Sequence, residues 1–258
     1  MLSYIFSILI LSFAYISTSP LTAEESFLLI DGSSKEIVCE IGTSTHERAS
    51  PCSTFKIVLS LMGYDAEILK DEKNPNWAFQ EGYDTYLESW RAPQNPTSWM
   101  KESCVWYSKL LAYELGLEKI QSYLALLEYG NQDLSGGLEK LGSTNPAWIN
   151  SSLEISQKEQ VDFIQKMINE KLPISQNAIQ RTKVLLFKEE LQSGWKLFGK
   201  TGTGKGKEGI LGWFVGWIEK ENCTYVFSYN IQGQNIDISQ RIPRVKELLQ
   251  QTDIFQHL

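Results

Sequence analysis

Apolar residues fall into short strand-like runs at both ends of the chain and recur at helical spacing between them. Residues 26–31 (SFLLID) and 36–42 (EIVCEIG) read as two strands, with Gly32-Ser33-Ser34 between them as a hairpin signal. From Ser53 the period changes. Over residues 53–62, Phe55, Ile57, Val58, Leu59, Leu61 and Met62 occupy every side of a helix, which marks it as buried. Residues 74–100 are rich in Pro and Trp and hold no period, so an irregular stretch is expected there. Helical patterns resume at 104–115, 118–128, 156–170 and 175–191. Strand-like runs return at 195–199 (WKLFG), 209–218 and 224–231, followed by a helical tail at 240–251. Strands from both termini around a helical middle predict an α/β fold of the α+β type. One antiparallel five-stranded sheet, built from both ends of the chain, is flanked by helices and carries a largely helical inserted region.

The first charged side chain is Glu24. Before it lie an apolar run of about fifteen residues and then small and polar ones. This pattern predicts a secretory signal over residues 1–23, with Leu21-Thr22-Ala23 as a small-residue cleavage site and a mature domain over 24–258. No Lys or Arg precedes the run, so an uncleaved anchor is the other reading. The run is shorter than the ~20 residues of a spanning helix, which favours cleavage and a periplasmic or secreted domain with no remaining membrane attachment. A net charge of −7 argues against a nucleic-acid or anionic-membrane partner, which needs basic surface. Export places Cys39, Cys52, Cys104 and Cys223 in an oxidising compartment, where three pairings are possible. Their spacing matches no zinc pattern, and His46 and His257, the two histidines, stand far apart, so no metal site is expected.

Candidate chemistry begins at "PCSTFKI", residues 51–57, where a serine stands three positions ahead of a lysine. Residues i and i+3 share a helix face, so Lys56 reaches the Ser53 hydroxyl. A lysine inside so apolar a run must be paired, neutralised or modified, which lifts S-x-x-K above chance. Three further stretches bear on it. Ser103-Cys104-Val105 offers a second hydroxyl at a helix start, where a plain N-cap is the simpler reading. Tyr129-Gly130-Asn131 ends a helical run and reads by itself as a C-cap. Lys200-Thr201-Gly202 follows a strand and gathers a cation, a hydroxyl and a permissive backbone, as binding a substrate carboxylate requires. The same region, "GKTGTGK" over 199–205, fits the start of a phosphate-binding P-loop. Gly206 stands where a magnesium-binding Ser or Thr is needed, and a strand follows instead of a helix, so the nucleotide reading fails.

In this order S-x-x-K, S-x-V, YGN and KTG resemble the class D serine β-lactamases, the oxacillinase family, over essentially the whole mature chain. Ser103-Cys104-Val105 stands where the related class A enzymes carry S-D-N. The resemblance implies the penicillin-binding fold and a β-lactam substrate opened by a Ser53 acyl-enzyme. It implies that Lys56 is carboxylated by CO2 and serves as general base, with no other cofactor. Val105 and Trp148 line the carbamate pocket, and Ser103 relays a proton to the leaving nitrogen. Lys200, Thr201, Gly202 and Thr203 bind substrate, with the backbone N–H groups of Ser53 and Thr203 as oxyanion hole.

Two departures accompany the resemblance. Ser239 stands at the position of the arginine many members use to grip the carboxylate, so Thr201, Thr203 or Ser239 are expected to share that task, with Arg241 and Arg244 outside the site. Extra residues precede Trp148, whose assignment rests on the SLEIS stretch after it. Cys52 and Cys104 adjoin the two serines that must converge on one lactam ring, so a disulfide between them is expected, with free thiols as the alternative. The rival function within the fold is a penicillin-binding peptidase or a lactam-sensing domain that acylates without turnover.

Overall fold

The computed structural model describes residues 23–43, 45–138, 145–191 and 194–255. Strands β1 (Glu24–Asp31) and β2 (Ile37–Ile41) open the fold, and β3 (Phe187–Glu190), β4 (Lys196–Gly206), β5 (Gly209–Lys220) and β6 (Cys223–Gly233) close it. They form one antiparallel sheet in the order β2-β1-β6-β5-β4-β3, so both ends of the chain meet at the β1–β6 pair. Between them lie α1 (Lys56–Asp65), α2 (Pro96–Glu102), α3 (Val105–Leu115), α4 (Leu117–Leu126), α5 (Gln157–Ile168) and α6 (Gln176–Leu186). The last helix, α7 (Arg241–Gln250), follows β6.

The inner strands β1, β6 and β5 are buried on both faces, which is why they read as continuous apolar runs. Leu28, Ile30, Leu211, Trp213, Val215 and Trp217 join the core shared with the inserted helices. Their strand neighbours Phe27, Leu29, Phe214 and Ile218 turn to the other face and pack with Val245, Leu248 and Leu249 of α7. Side-chain alternation thus distributes one apolar run between two cores.

Three elements differ from the sequence reading. The helix expected over 175–191 ends at Leu186, and the chain turns into β3, giving six strands instead of five. No Gly or Pro marks that stop. Phe187 leaves helical geometry and sets its ring against Phe198 of β4 at 5.5 Å, so tertiary pairing overrides the helix propensity of the following Lys and Glu residues. Within the supposedly irregular 74–100, α2 begins on a capping box between Asn95 and Ser98 with proline in its first turn. Finally, β4 runs through the whole glycine-rich stretch instead of ending at 199, which rules out a P-loop.

The extended β4 explains its glycines. β3 pairs with β4 only over Lys196–Phe198, so the outer edge of β4 beyond Phe198 has no strand partner among the described residues. There β4 lies against the one-turn 3₁₀ segment Cys52–Phe55. A Cβ on Gly202 would stand 2.9 Å from the Pro51 carbonyl oxygen, and one on Gly204 only 2.3 Å from Cys52 Sγ. Gly202→Ala should therefore push β4 off the serine turn. We expect a loss of about 1–3 kcal/mol in unfolding free energy by urea titration, the range for overpacking a close contact. Unchanged stability would show that the turn yields freely.

Candidate active site

Ser53 sits in the 3₁₀ turn Cys52–Phe55, which runs directly into α1 at Lys56. Thr54 ties the turn down by donating its N–H and hydroxyl to the Pro51 carbonyl at 3.1 and 2.7 Å. Lys56 Nζ donates to Ser53 Oγ at 3.2 Å. The lysine is 1 % exposed, and no carboxylate pairs with it among the described residues. Burial holds its pKa down to about 8. The thiols of Cys104 and Cys52 oppose that shift, but burial also pushes both thiols up, Cys104 to about 12. Both are therefore neutral at pH 7 and give Lys56 no counter-charge. Roughly a tenth of Lys56 is then unprotonated at pH 7.

Ser103 reaches the same place from another direction. It ends α2 in left-handed geometry, φ 58°, one residue before the turn into α3. Its hydroxyl accepts from Lys200 Nζ at 3.0 Å, and Lys200 also donates to the Thr201 carbonyl at 3.0 Å. Lys200 is buried too. Burial first, and then repulsion from Lys56, Lys188 and Arg241, lowers its pKa well below the ordinary lysine value. Ser53, Ser103, Val105, Thr201 and Thr203 all line one cavity of about 520 Å³. Gly202 contributes close approach instead of a side chain.

Tyr129-Gly130-Asn131 has a supporting role that its C-cap pattern does not disclose. Asn131 donates its amide to the Ser152 carbonyl at 2.8 Å and accepts the Glu154 N–H at 3.0 Å. Its own N–H bonds the Glu154 carbonyl at 2.9 Å. This clamp fixes the segment that carries Trp148. The Trp148 ring stacks on Phe55, the residue before Lys56, with centroids 5.2 Å apart, and Tyr129 meets Phe55 at 5.7 Å. The Trp148 carbonyl accepts from Ser50 Oγ at 2.9 Å, tying the segment to the serine turn again.

Two expectations are corrected. Arg241, placed outside the site from the sequence, lines the cavity. Its Nη1 donates to Thr203 Oγ1 at 2.9 Å and to the Gly202 carbonyl, and its Nε donates to the Ile238 carbonyl. Its side chain passes over Gly212 of β5, where a Cβ would come within 3.0 Å of Cδ. Burial lowers its pKa to about 10, so it stays charged. Ser239 does not line the cavity; its hydroxyl donates to Asp237 at 2.6 Å. The missing signal was Gly212, whose lack of a side chain makes room for an arginine from α7. Arg244 pairs with Glu25 at 2.9 Å, outside the cavity lining, as expected. The second correction concerns Cys52 and Cys104, which are free thiols, as are Cys39 and Cys223. Cys52 turns its sulfur toward Ser50 and Asn150 at 3.6 and 3.8 Å, under Gly204, whereas Cys104 belongs to the helical core. Convergence of the adjacent serines does not bring the sulfurs together.

A serine bonded to a buried amine, beside a cationic open strand edge, is suited to passing an acyl group onto and off a hydroxyl. Residues 31–250 match the model of the penicillin binding protein transpeptidase domain. The chain is 38% identical over 214 residues to β-lactamase OXA-1 of Escherichia coli, covering 81% of this chain and 76% of OXA-1. The crystal structure of OXA-427, a class D β-lactamase, superposes with a TM-score of 0.80 at 36% identity, covering 88% of this chain and 97% of that one. Regulatory protein BlaR1 of Bacillus licheniformis is 29% identical over 215 residues, 83% of this chain but only 34% of BlaR1. The chain belongs to the penicillin-binding transpeptidase family and, within it, to the class D serine β-lactamases.

Lys56 should weaken the fold it serves. The unfolded lysine, near 10.5, binds its proton more tightly than the folded one, near 8, so stability rises with pH between those values. Below pH 8 the full cost remains, on the order of 3 kcal/mol. Lys56→Met should therefore raise the unfolding free energy at pH 7 by about 1–3 kcal/mol and remove that rise. Denaturant titrations of both proteins from pH 7 to 10.5 test this; parallel curves would exclude the stored cost.

Proposed function

We propose that this protein hydrolyses the lactam amide of penicillin-type antibiotics through an acyl-enzyme on Ser53. The observation that carries the reading is the 3.2 Å bond between Ser53 Oγ and a buried, partly neutral Lys56. Membership of the class D β-lactamases supports the substrate class. Ser53 Oγ attacks the lactam carbonyl, and the backbone N–H groups of Ser53 and Thr203 receive the negative charge that develops on its oxygen. Ser103 Oγ, held by Lys200, passes a proton to the departing nitrogen. Lys200, Thr201, Thr203 and Arg241 attract the substrate carboxylate.

The surroundings of Lys56 fit a carbamate. The amine is buried and lacks a counter-charge among the described residues, and Val105 lines the adjoining cavity. When CO2 is bound to Lys56 in this way, it supplies an anionic base beside Ser53, for both acylation and attack by water. Trp148 stacks on Phe55, the residue before Lys56, and the Asn131 clamp holds the segment that carries Trp148.

Among the described residues no helix is long and apolar enough to cross a membrane. The expected signal over residues 1–23 lies almost wholly outside the described residues, and we propose export to the periplasm on its sequence pattern. The likeness to BlaR1 favours a second reading, a regulatory domain that is acylated and stops.

Intact-mass measurement with benzylpenicillin separates the two. Repeated release of opened lactam from a transient Ser53 adduct supports hydrolysis, whereas one stable adduct per chain overturns it. Lys200→Ala should lower kcat/KM by about 2–3 kcal/mol, the loss expected for a charged hydrogen bond, with partial recovery in Lys200→Arg. Labelled bicarbonate should give a carbon-13 carbamate signal that Lys56→Ala abolishes and Trp148→Ala weakens. Degassed enzyme at mildly acidic pH should regain turnover when bicarbonate is added at constant pH. No signal and no bicarbonate response would leave unmodified Lys56 as the base.

A further inference from the structure

The cavity around Ser53 is electrically divided. Thr201, Thr203 and Arg241 line its cationic part, with Lys200 next to them through Thr201 and Ser103. A lactam whose carboxylate lies there, with its carbonyl at Ser53, has one group left to place: the acyl side chain. The lining left to receive it comes from residues 84–87, Trp90, Glu102, Asn145 and Ile149. Apolar surface dominates that part. Tyr86 is 87% exposed, Leu87 41% exposed, and Trp90 meets Tyr86 at 6.3 Å.

Two carboxylates stand in the same wall, and they are not equivalent. Asp84 is neutralised by the buried Lys109, Nζ to Oδ2 3.1 Å. Glu102 forms no ion pair among the described residues. Its carboxylate accepts only the Ser89 hydroxyl, at 3.0 Å. Its backbone carbonyl accepts the Trp90 indole N–H at 3.0 Å, so the residue is held from two sides, directly before Ser103. An uncompensated, positioned carboxylate in a substrate cavity makes affinity depend on the charge of the group placed near it.

We infer that Glu102 sets a charge preference for the acyl side chain, favouring β-lactams that carry an ammonium group there and disfavouring those with a second carboxylate. The cavity then matches a zwitterion, carboxylate at the Thr201–Arg241 part and ammonium at the Glu102 part. The inference rests on the hydrolytic reading above. It adds a specificity-determining residue that neither S-x-x-K, S-x-V, YGN nor KTG contains.

Three penicillins that differ only at the α-carbon of the side chain provide the test. Ampicillin carries an ammonium there, benzylpenicillin no charge, and carbenicillin a carboxylate. We expect the ampicillin-to-carbenicillin ratio of kcat/KM to fall about tenfold in Glu102→Gln and to be kept in Glu102→Asp, a pattern that a merely structural role does not produce. In the native protein the ratio should shrink as salt rises, which needs no variant to fold. A ratio unmoved by Glu102→Gln, or insensitive to salt in the native protein, overturns the inference. So does a ratio that collapses equally in Asp84→Asn. Native protein that fails to hydrolyse benzylpenicillin overturns the underlying reading instead, so the two failures remain distinguishable.

Discussion

The burial of a lysine amine without a counter-charge is the constraint on which the rest of the site depends. In water such an amine stays protonated far above neutral pH and is no base. Here the first turn of α1 carries it into a core of Phe55, Ile57, Val58 and Leu59, all at most 1% exposed, and its pKa falls to about 8. The position also excludes a remedy that proteins ordinarily use, a neighbouring carboxylate. Such a partner would restore the ordinary pKa and remove the chemistry. The two nearby thiols are harmless on this account, because burial keeps them protonated.

The fold delivers the other groups by leaving things out. β3 is short, so the edge of β4 at Lys200–Thr203 remains open to a ligand. Gly202 and Gly204 have no side chains, so one face of β4 lies directly against the serine turn there. Gly212 has none either, and Arg241 crosses β5 to bond Thr203. Where bulk is needed it is aromatic and fastened: Trp148 on Phe55, Phe55 on Tyr129, and the whole segment clamped by Asn131. Hydrogen bonds of this kind fix orientation more than they add stability.

The sequence made the architecture and the pair Ser53–Lys56 legible because both depend on local spacing. Strand runs, the i, i+3 relation and the charge placed in an apolar run are all written within a few residues of each other. What escaped depends on contacts between distant segments. β3 forms because Phe187 meets Phe198, and nothing in the local pattern of 175–191 announces it. The strand character of GKTGTGKG was hidden because composition reads glycine as loop, whereas here glycine allows close approach. Arg241 was misplaced because Ser239 stands at the position where the arginine was expected, whereas the controlling feature lies on another element, at Gly212. The Cys52–Cys104 pairing failed for a related reason. Adjacent residues in a turn point different ways, so convergence of Ser53 and Ser103 says nothing about their neighbours.

Unmodified Lys56 together with Lys200 and Arg241 makes a cluster of basic groups that no carboxylate pairs with among the described residues. Each is largely or fully buried, and mutual repulsion is among the causes that depress Lys200. Such a cluster is unfavourable in the free protein and becomes favourable when an anion enters, so the folded state holds in advance the electrostatic order that an anionic substrate would otherwise have to create. Stability is lost where binding is gained. The two-sided apolar sheet accounts for how the fold tolerates that loss: both of its faces are packed, one against the inserted helices and one against α7. Glu102 belongs to the same logic with the sign reversed. One uncompensated carboxylate in the cavity that Arg241 also lines gives the site direction as well as attraction, and direction distinguishes one anion from another.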